Sequence, residues 1–500
     1  MKRNRFWVLI SIMMALALIF VVCQADGNGN DNGTGTGPGN GNGTDNGGPP
    51  PTKFEQDPND AMGGVPYNIT NNFGQDSSTS LIVQWHNYNN VFVQALQLVE
   101  ENEDFEEAGA VLVGGIDWIP TRLTGSDVGN YTARFIFRQE IYGLKPATKY
   151  KYRMGSPGYW SDTFYHLTSG GSNTDFSFTV GADSQDENFN GEESIQNTFR
   201  AANAYDSDNR FFLVAGDIVD YPQIRPEEFV NYTNVANEFN KNTPIAVTQG
   251  NHDTYLVNPS SDRYVFGSAE VFNAFVTFPN NGWARQEGQA NAGPHRSDSY
   301  YFYYNKVLII MLNTMATENA TGTADPNHNA QANWLRAVLQ NDKDKNSSKY
   351  IIVVTHVPPF SIRGVERWLT SAVRQFYAPI MSEFDVDIFF AGHDHVYTRS
   401  NPIKVMKTGT GVHSSAIPLA GIDFNTAENG TIYSVASSVG PKFYTMATDA
   451  VIGQYYPTRV DNQKPGVFIN VKVTDENLTV TAIKVGTSTP IDTYTVPAKR

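Results

Sequence analysis

Five times along this chain an apolar, strand-like run stops abruptly at a short polar cluster. The clusters are Asp183-Ser184-Gln185, Gly216-Asp217, Gly250-Asn251-His252-Asp253, His356 and Gly392-His393-Asp394-His395. Helix-length spacers separate most of them, which predicts strands alternating with helices and hence a layered α/β domain. In such domains the carboxyl ends of the strands are where sites are built. Asp, Asn, Gln and His are hard-to-borderline metal ligands. No one cluster is specific, because a lone Gly-Asp after a strand is usually only a turn. Five in series read as a two-metal hydrolase.

A chain of 500 residues exceeds one ordinary domain. The formal charge of −15 argues against a nucleic-acid polymer as partner, since such binders need a basic footprint. It leaves a phosphate substrate open, because bound cations dominate a local field. Lys2, Arg3 and Arg5 precede an apolar run from Phe6 to Val22, a targeting segment set apart from the fold. The run ends at Cys23, the only cysteine, so no internal disulfide framework exists. Cys23 resembles the lipid-attachment cysteine of a bacterial lipoprotein, although Phe20-Val21-Val22 lacks the usual small residue before it. An uncleaved membrane anchor and a plain secretory signal are the alternatives; all three place the body outside the cytoplasm. The Gly-, Asn- and Thr-rich stretch that follows has the composition of a flexible tether.

The expected organisation is a targeting segment over 1–22, anchor and linker over 23–60, a β-sandwich over 61–172 and an α/β domain over 173–500. In the first folded part, about seven short β-branched and aromatic strands predict an all-β sandwich. His86 and His166 lie in strand contexts and are read as structural. The run Leu144-Lys145-Pro146-Ala147-Thr148-Lys149-Tyr150-Lys151-Tyr152 resembles the tyrosine-containing corner of fibronectin type III domains. In the second part, helices are expected over Ser194–Tyr205, Pro226–Phe239, Ala332–Gln340 and Val365–Phe384, and strands return after Val396. The polar loop from Phe278 to Ser299 is long enough to be a binding loop, which makes His295 and Arg296 weak substrate-site candidates against a surface-loop reading.

The chemistry follows from residue type. The glycine before Asp217 permits a tight turn that leaves the carboxylate at the strand end. A carboxylate can bridge two cations about 3.5–4 Å apart. Asn251 offers a neutral oxygen, and His356, His393 and His395 offer imidazole nitrogens.

The ordered series Asp-x-Gln, Gly-Asp, Gly-Asn-His-Asp, His and Gly-His-x-His resembles that of calcineurin-like metallophosphoesterases. Residues 392–399, Gly-His-Asp-His-Val-Tyr-Thr-Arg, and the N-terminal sandwich are most similar to the purple acid phosphatase branch. That resemblance implies a fibronectin III/Ig-like sandwich followed by a four-layer α/β domain, two mixed sheets flanked by helices. It implies one metal on Asp183, Gln185, Asp217 and His395 and a second on Asp217, Asn251, His356 and His393. His252 would act at the leaving oxygen, with Asp253 orienting it. The cofactors would be two divalent ions (Mn, Fe, Zn or Mg) and the reaction hydrolysis of a phosphate mono- or diester by a metal-bound hydroxide. The alternative is a non-catalytic surface binding or adhesion protein that keeps the scaffold.

Two departures stand out. Purple acid phosphatases carry a tyrosine ligand three residues after the bridging Asp; here that position is Asp220. Their first motif is Asp-x-Gly, and Gln185 stands where the wider superfamily places a histidine. An Fe(III)–tyrosinate centre is therefore not carried over, and Gln185 has two readings: ligand, or hydrogen-bond partner of a bridging water.

Overall fold

The computed structural model describes residues 64–87, 93–107, 109–118, 134–170, 175–186, 195–221, 227–257, 264–266, 269–284, 298–315, 326–361, 368–407, 422–446, 456–460 and 466–499. Cys23, the tether, His295 and Arg296 lie outside them. Among the described residues no helix is long and apolar enough to cross a membrane.

Strand Lys149–Ser156 shows how the first domain is made. Tyr150, Tyr152 and Met154 are buried, while Lys149, Lys151 and Arg153 alternate outward, the period-2 pattern of a strand with one face on a core. The backbone N–H of Lys145 donates to the Tyr150 hydroxyl (2.8 Å), closing the turn seen in the sequence. Two antiparallel sheets form the sandwich. One orders Tyr67–Phe73, Ser80–Asn87, Arg134–Tyr142 and Ile116–Trp118; the other orders Ala110–Gly114, Val93–Glu100, Lys149–Ser156 and Tyr159–Trp160, with Phe164–Leu167 also on Lys149–Ser156. Between them Trp85 stacks on Phe137, centroids 5.4 Å apart, amid Leu81, Val83, Leu96 and Phe164.

Strand Ser80–Asn87 is buried at every position. Leu81, Val83 and Trp85 face the sandwich core. Gln84 and His86 meet the second domain: Gln84 donates to the Ala274 carbonyl (2.7 Å), and the His86 ring nitrogen lies 2.8 Å from the same oxygen. Asn68, Asn71 and Asn72 on the neighbouring strand donate to the carbonyls of Phe275, Asn240 and Thr277. Phe73 enters the second domain's core against Phe211, Phe302 and Tyr304. His166, its ring 5.5 Å from Phe73, is fully buried, and burial lowers its pKa from 6.5 to about 3. His86 and His166 are thus seam and core residues.

The second domain packs two mixed sheets face to face. The first orders Ile245–Val247, Asn209–Val214, Phe176–Gly181, Val467–Val473, Asn477–Lys484 and Pro490–Pro497, with its first three strands parallel. The second orders Tyr300–Tyr304, Val307–Leu312, Tyr350–Thr355, Ile388–Ala391, Ile432–Ala436, Tyr397–Arg399 and Thr458–Val460, with the strands from Val307 to Ala436 in that order parallel. Strand Val307–Leu312 is apolar throughout because both faces are covered. Val307, Ile309 and Met311 join the core between the sheets; Leu308, Ile310 and Leu312 join the core under the helices Pro326–Lys345, Trp368–Phe376 and Ala378–Glu383. The helices Ile195–Tyr205 and Glu227–Asn240 cover the first sheet, Phe199 meeting Phe212 and Phe239. These are the four layers the resemblance implies.

Two sequence expectations change in detail. The helix read over Val365–Phe384 divides at Tyr377, where Pro379 starts a new helix in its first turn, the position proline favours. The helix read over Ala332–Gln340 extends over Pro326–Lys345.

Candidate metal centre

All five polar clusters meet where the two sheets converge. Asp183, Asp217 and Asn251 follow three adjacent parallel strands of the first sheet; His356 and the His393/His395 pair follow two adjacent strands of the second. Four of these residues have positive φ: Asp183 at 58°, Asp217 at 53°, His393 at 70° and His395 at 52°. Non-glycine residues seldom adopt this conformation, and clusters of it mark functional positions. The backbone turns sharply off each strand so that the side chain points back into the cleft.

Packing enforces those turns. A Cβ on Gly250 would lie 2.1 Å from Asp217 Oδ1 and 2.3 Å from its nitrogen. Gly216, at φ +79°, passes so close to Gly250 and His356 that a Cβ there would meet both within 2.8 Å. Asp253 fixes the loop from below, accepting from the N–H groups of Gly250, Asp217, Ile218 and Val219 (2.7–3.1 Å). The Asp183 carboxylate accepts the His393 N–H (2.9 and 3.0 Å to its two oxygens), which ties the two sheets together at the site.

Two groups of buried ligand atoms result, Asp217–His356–His393 and Asp183–Asp217–His395, and they share Asp217. The donor set fits cations. His356 Nδ1 lies 2.8 Å from the Ala215 carbonyl and His395 Nδ1 2.8 Å from the Lys442 carbonyl. A carbonyl only accepts, so each Nδ1 carries the proton and each Nε2 turns a lone pair inward, the usual fixing of a ligating histidine. His356 Nε2 then faces Asn251 Oδ1 at 2.9 Å, Asp217 Oδ2 at 3.2 Å and His393 Nδ1 at 3.3 Å. His395 Nε2 faces Asp183 Oδ1 at 3.3 Å. At His356 the facing oxygens of Asn251 and Asp217 are acceptors pointed at an acceptor, a repulsive arrangement that a proton or a cation relieves. Burial opposes charge on His356, but Asp217 and Asp183 outweigh it and push its pKa up to about 9. Burial likewise opposes ionisation of Asp217, yet His356, His252 and His393 hold it well below the usual carboxylate range.

Gln185 is fully buried, its Nε2 3.2 Å from Asp217 Oδ2, while its Oε1 has no hydrogen-bond partner. It is the NH2 group that faces the ligand atoms, with His395 Nε2 3.4 Å away; an amide ligates through its oxygen, so a ligand role needs the amide turned the other way, which would also give the orphaned oxygen a partner.

His252 is at the mouth. Its backbone N–H donates to Asp217 Oδ1 (2.8 Å), and its ring Nδ1 lies 2.6 Å from Asp220 Oδ1. The carboxylate on this ring is therefore Asp220; Asp253, expected there from the sequence, grips the backbone instead. Asp220 also accepts from Lys442 Nζ (2.8 Å). Sequence reasoning marked Asp220 only as a missing tyrosine and passed over Lys442 entirely. Asp217 and Asp220 raise the pKa of His252 against the effect of burial. The substrate-site candidates His295 and Arg296 lie outside the described residues.

Both folded parts are similar to known proteins. Residues 176–397 match the calcineurin-like phosphoesterase family and 66–168 the purple acid phosphatase N-terminal domain. Purple acid phosphatase 21 of Arabidopsis thaliana is 27% identical over 273 residues, 55% of each chain. Fe(3+)-Zn(2+) purple acid phosphatase 12 of the same plant is 24% identical over 287 residues, 55% of this chain and 54% of that one. The chain thus spans a little over half the length of these curated relatives. A purple acid phosphatase from yellow lupin (Lupinus luteus) seeds shares the fold, with TM-score 0.66 and 14% identity, over 87% of this chain and 74% of that one.

Proposed function

From its place among the calcineurin-like metallophosphoesterases, with the purple acid phosphatase N-terminal domain ahead of the catalytic one, we propose that this chain hydrolyses phosphate mono- or diesters with two metal ions, outside the cytoplasm. The observation that carries the reading is the pair of buried ligand groups hinged on Asp217. Asn251, His356 and His393 would hold one ion and Asp183, Gln185 and His395 the other, with Asp217 between. When bound, two divalent ions neutralise the phosphoryl oxygens and bring a water to a reactive pKa.

The chain's own groups do the rest. Asp183 and Asp217 contribute two negative charges against four positive ones, so the centre attracts an anionic ester; Asn251, being neutral, preserves that excess. Asp220 takes Nδ1–H of His252 and turns Nε2 toward the cleft. Against the effect of burial, Asp217 and Asp220 raise the pKa of His252 and so favour the protonated ring, the form that can give a proton to the departing oxygen. His252 is the part of this group nearest solvent, its side chain 18% exposed against none for Asp220, as a group meeting a substrate must be. The basic and apolar N-terminus and Cys23 support lipid anchorage at a membrane.

Metal analysis of the purified protein, with turnover of p-nitrophenyl phosphate against bis(p-nitrophenyl) phosphate, tests the reading. Two ions per chain, with hydrolysis abolished in Asp217→Asn, are expected. Failure to bind Mn, Fe, Zn or Mg, with neither ester hydrolysed, overturns it in favour of a binding role.

A further inference from the structure

Lys442 joins two imidazoles that no shared strand connects. It lies in the segment after strand Ile432–Ala436, which crosses to the first sheet: Val439 N–H donates to the Ala182 carbonyl (2.9 Å), and Gly440 N–H (3.1 Å) and the Ser438 hydroxyl (2.8 Å) donate to the Asp183 carbonyl. With its main chain held there, the Lys442 carbonyl receives His395 Nδ1–H at 2.8 Å. Its side chain runs the other way, and Nζ donates to Asp220 Oδ1 at 2.8 Å, the oxygen that lies 2.6 Å from His252 Nδ1. Tyr444, two residues on, packs its ring 4.4 Å from that of His395. Asp220 is fully buried and Lys442 30% exposed in its side chain, so the ammonium closes the Asp220 pocket from the rim.

We propose that Lys442 is a positioning residue that sets the His252 ring, through Asp220, in register with the centre that includes His395. This rests on the phosphoesterase reading above. Lys442 Nζ and His252 Nδ1 meet the same oxygen of Asp220, so the ammonium fixes the position of the atom on which the ring is seated. The main-chain half survives any substitution of the side chain, so Lys442→Met separates the two duties.

The test compares Lys442→Met and Lys442→Arg with wild type across aryl and alkyl phosphates of graded leaving-group pKa, alongside bound-metal content and the low-field proton NMR signal of His252 Nδ1–H in the metal-free protein. Lys442→Met is expected to keep its metal and to lose the sharp low-field signal. Its rate loss should grow with leaving-group pKa to about 10- to 100-fold on alkyl esters, a share of a general acid's contribution; Lys442→Arg restores most of both. Equal loss on every ester, or an unchanged low-field signal in Lys442→Met, overturns the inference. Absence of wild-type turnover with the expected NMR changes overturns the phosphoesterase reading and leaves the positioning standing.

Discussion

Replacing His166 by Phe should flatten the acid side of the stability curve. The ring is fully buried beside Phe73, both nitrogens lack hydrogen-bond partners, and burial lowers the pKa from 6.5 to about 3. The folded protein therefore holds His166 neutral. Between pH 6.5 and pH 3 the unfolded chain binds a proton that the folded chain refuses, so stability falls as pH falls through that window. The loss attributable to His166 is about 2 kcal/mol at pH 5 and about 3 kcal/mol at pH 4, relative to pH 8. Phenylalanine cannot titrate. Any packing change it brings is independent of pH and cancels when each variant is compared with itself. Urea unfolding followed by tryptophan fluorescence, at pH 8, 5 and 4, gives both curves; Trp85, stacked on Phe137, reports the sandwich. Wild type should lose about 2 kcal/mol more than His166→Phe between pH 8 and pH 5. Parallel losses would refute the claim that this histidine is held neutral.

The other predictions concern the centre and the seam. His252→Ala should keep both metals yet lose about 10²–10⁴ in rate, read from metal analysis and kcat together; full activity rules out its role as proton donor. Gly250→Ala, whose new carbon would lie 2.1 Å from Asp217 Oδ1, should abolish metal binding without unfolding the sandwich, which calorimetric metal titration beside circular dichroism can decide. For Gln185→Ala, metal titration should show one weakened site of two; unchanged affinity at both means the amide is no ligand. Phe73→Ala, which removes a ring packed on Phe211, Phe302 and Tyr304, should cost about 3–5 kcal/mol in chemical denaturation.

Legibility in the sequence tracked the range of the interaction. The strands ending at Gly181, Val214 and Thr355 could be read because apolar runs and the polar residues that stop them are local. Strand Ser80–Asn87 also looked like a strand, but not one buried on both faces: what covers Gln84 and His86 is Ala274, about 190 residues away. The Val365–Phe384 segment has helical periodicity throughout, and only the proline at 379 signals that a second helix begins. Asp220 was visible as a residue and invisible as a partner, because its contacts to His252 and Lys442 span two sheets. The family resemblance implies Asp253 as the orienter of the His252 ring, whereas the tight turn sends this side chain to four backbone amides.

The seam between the domains is written mostly from one side. Asn68, Asn71, Asn72, Gln84 and Arg138 of the sandwich all donate to carbonyl oxygens of the neighbouring domain, on Phe275, Asn240, Thr277, Ala274 and Val276. A carbonyl is present whatever side chain its residue bears. These five hydrogen bonds therefore do not depend on which side chains stand at 240 and 274–277, whereas the ring contacts of Phe73 with Phe211, Phe302 and Tyr304, and of His86 with Phe275, depend on residues of both domains. An exchange of sandwiches between distant members of the fold would have to preserve a path of main chain for the hydrogen bonds and, with it, the few matching rings around Phe73 and His86.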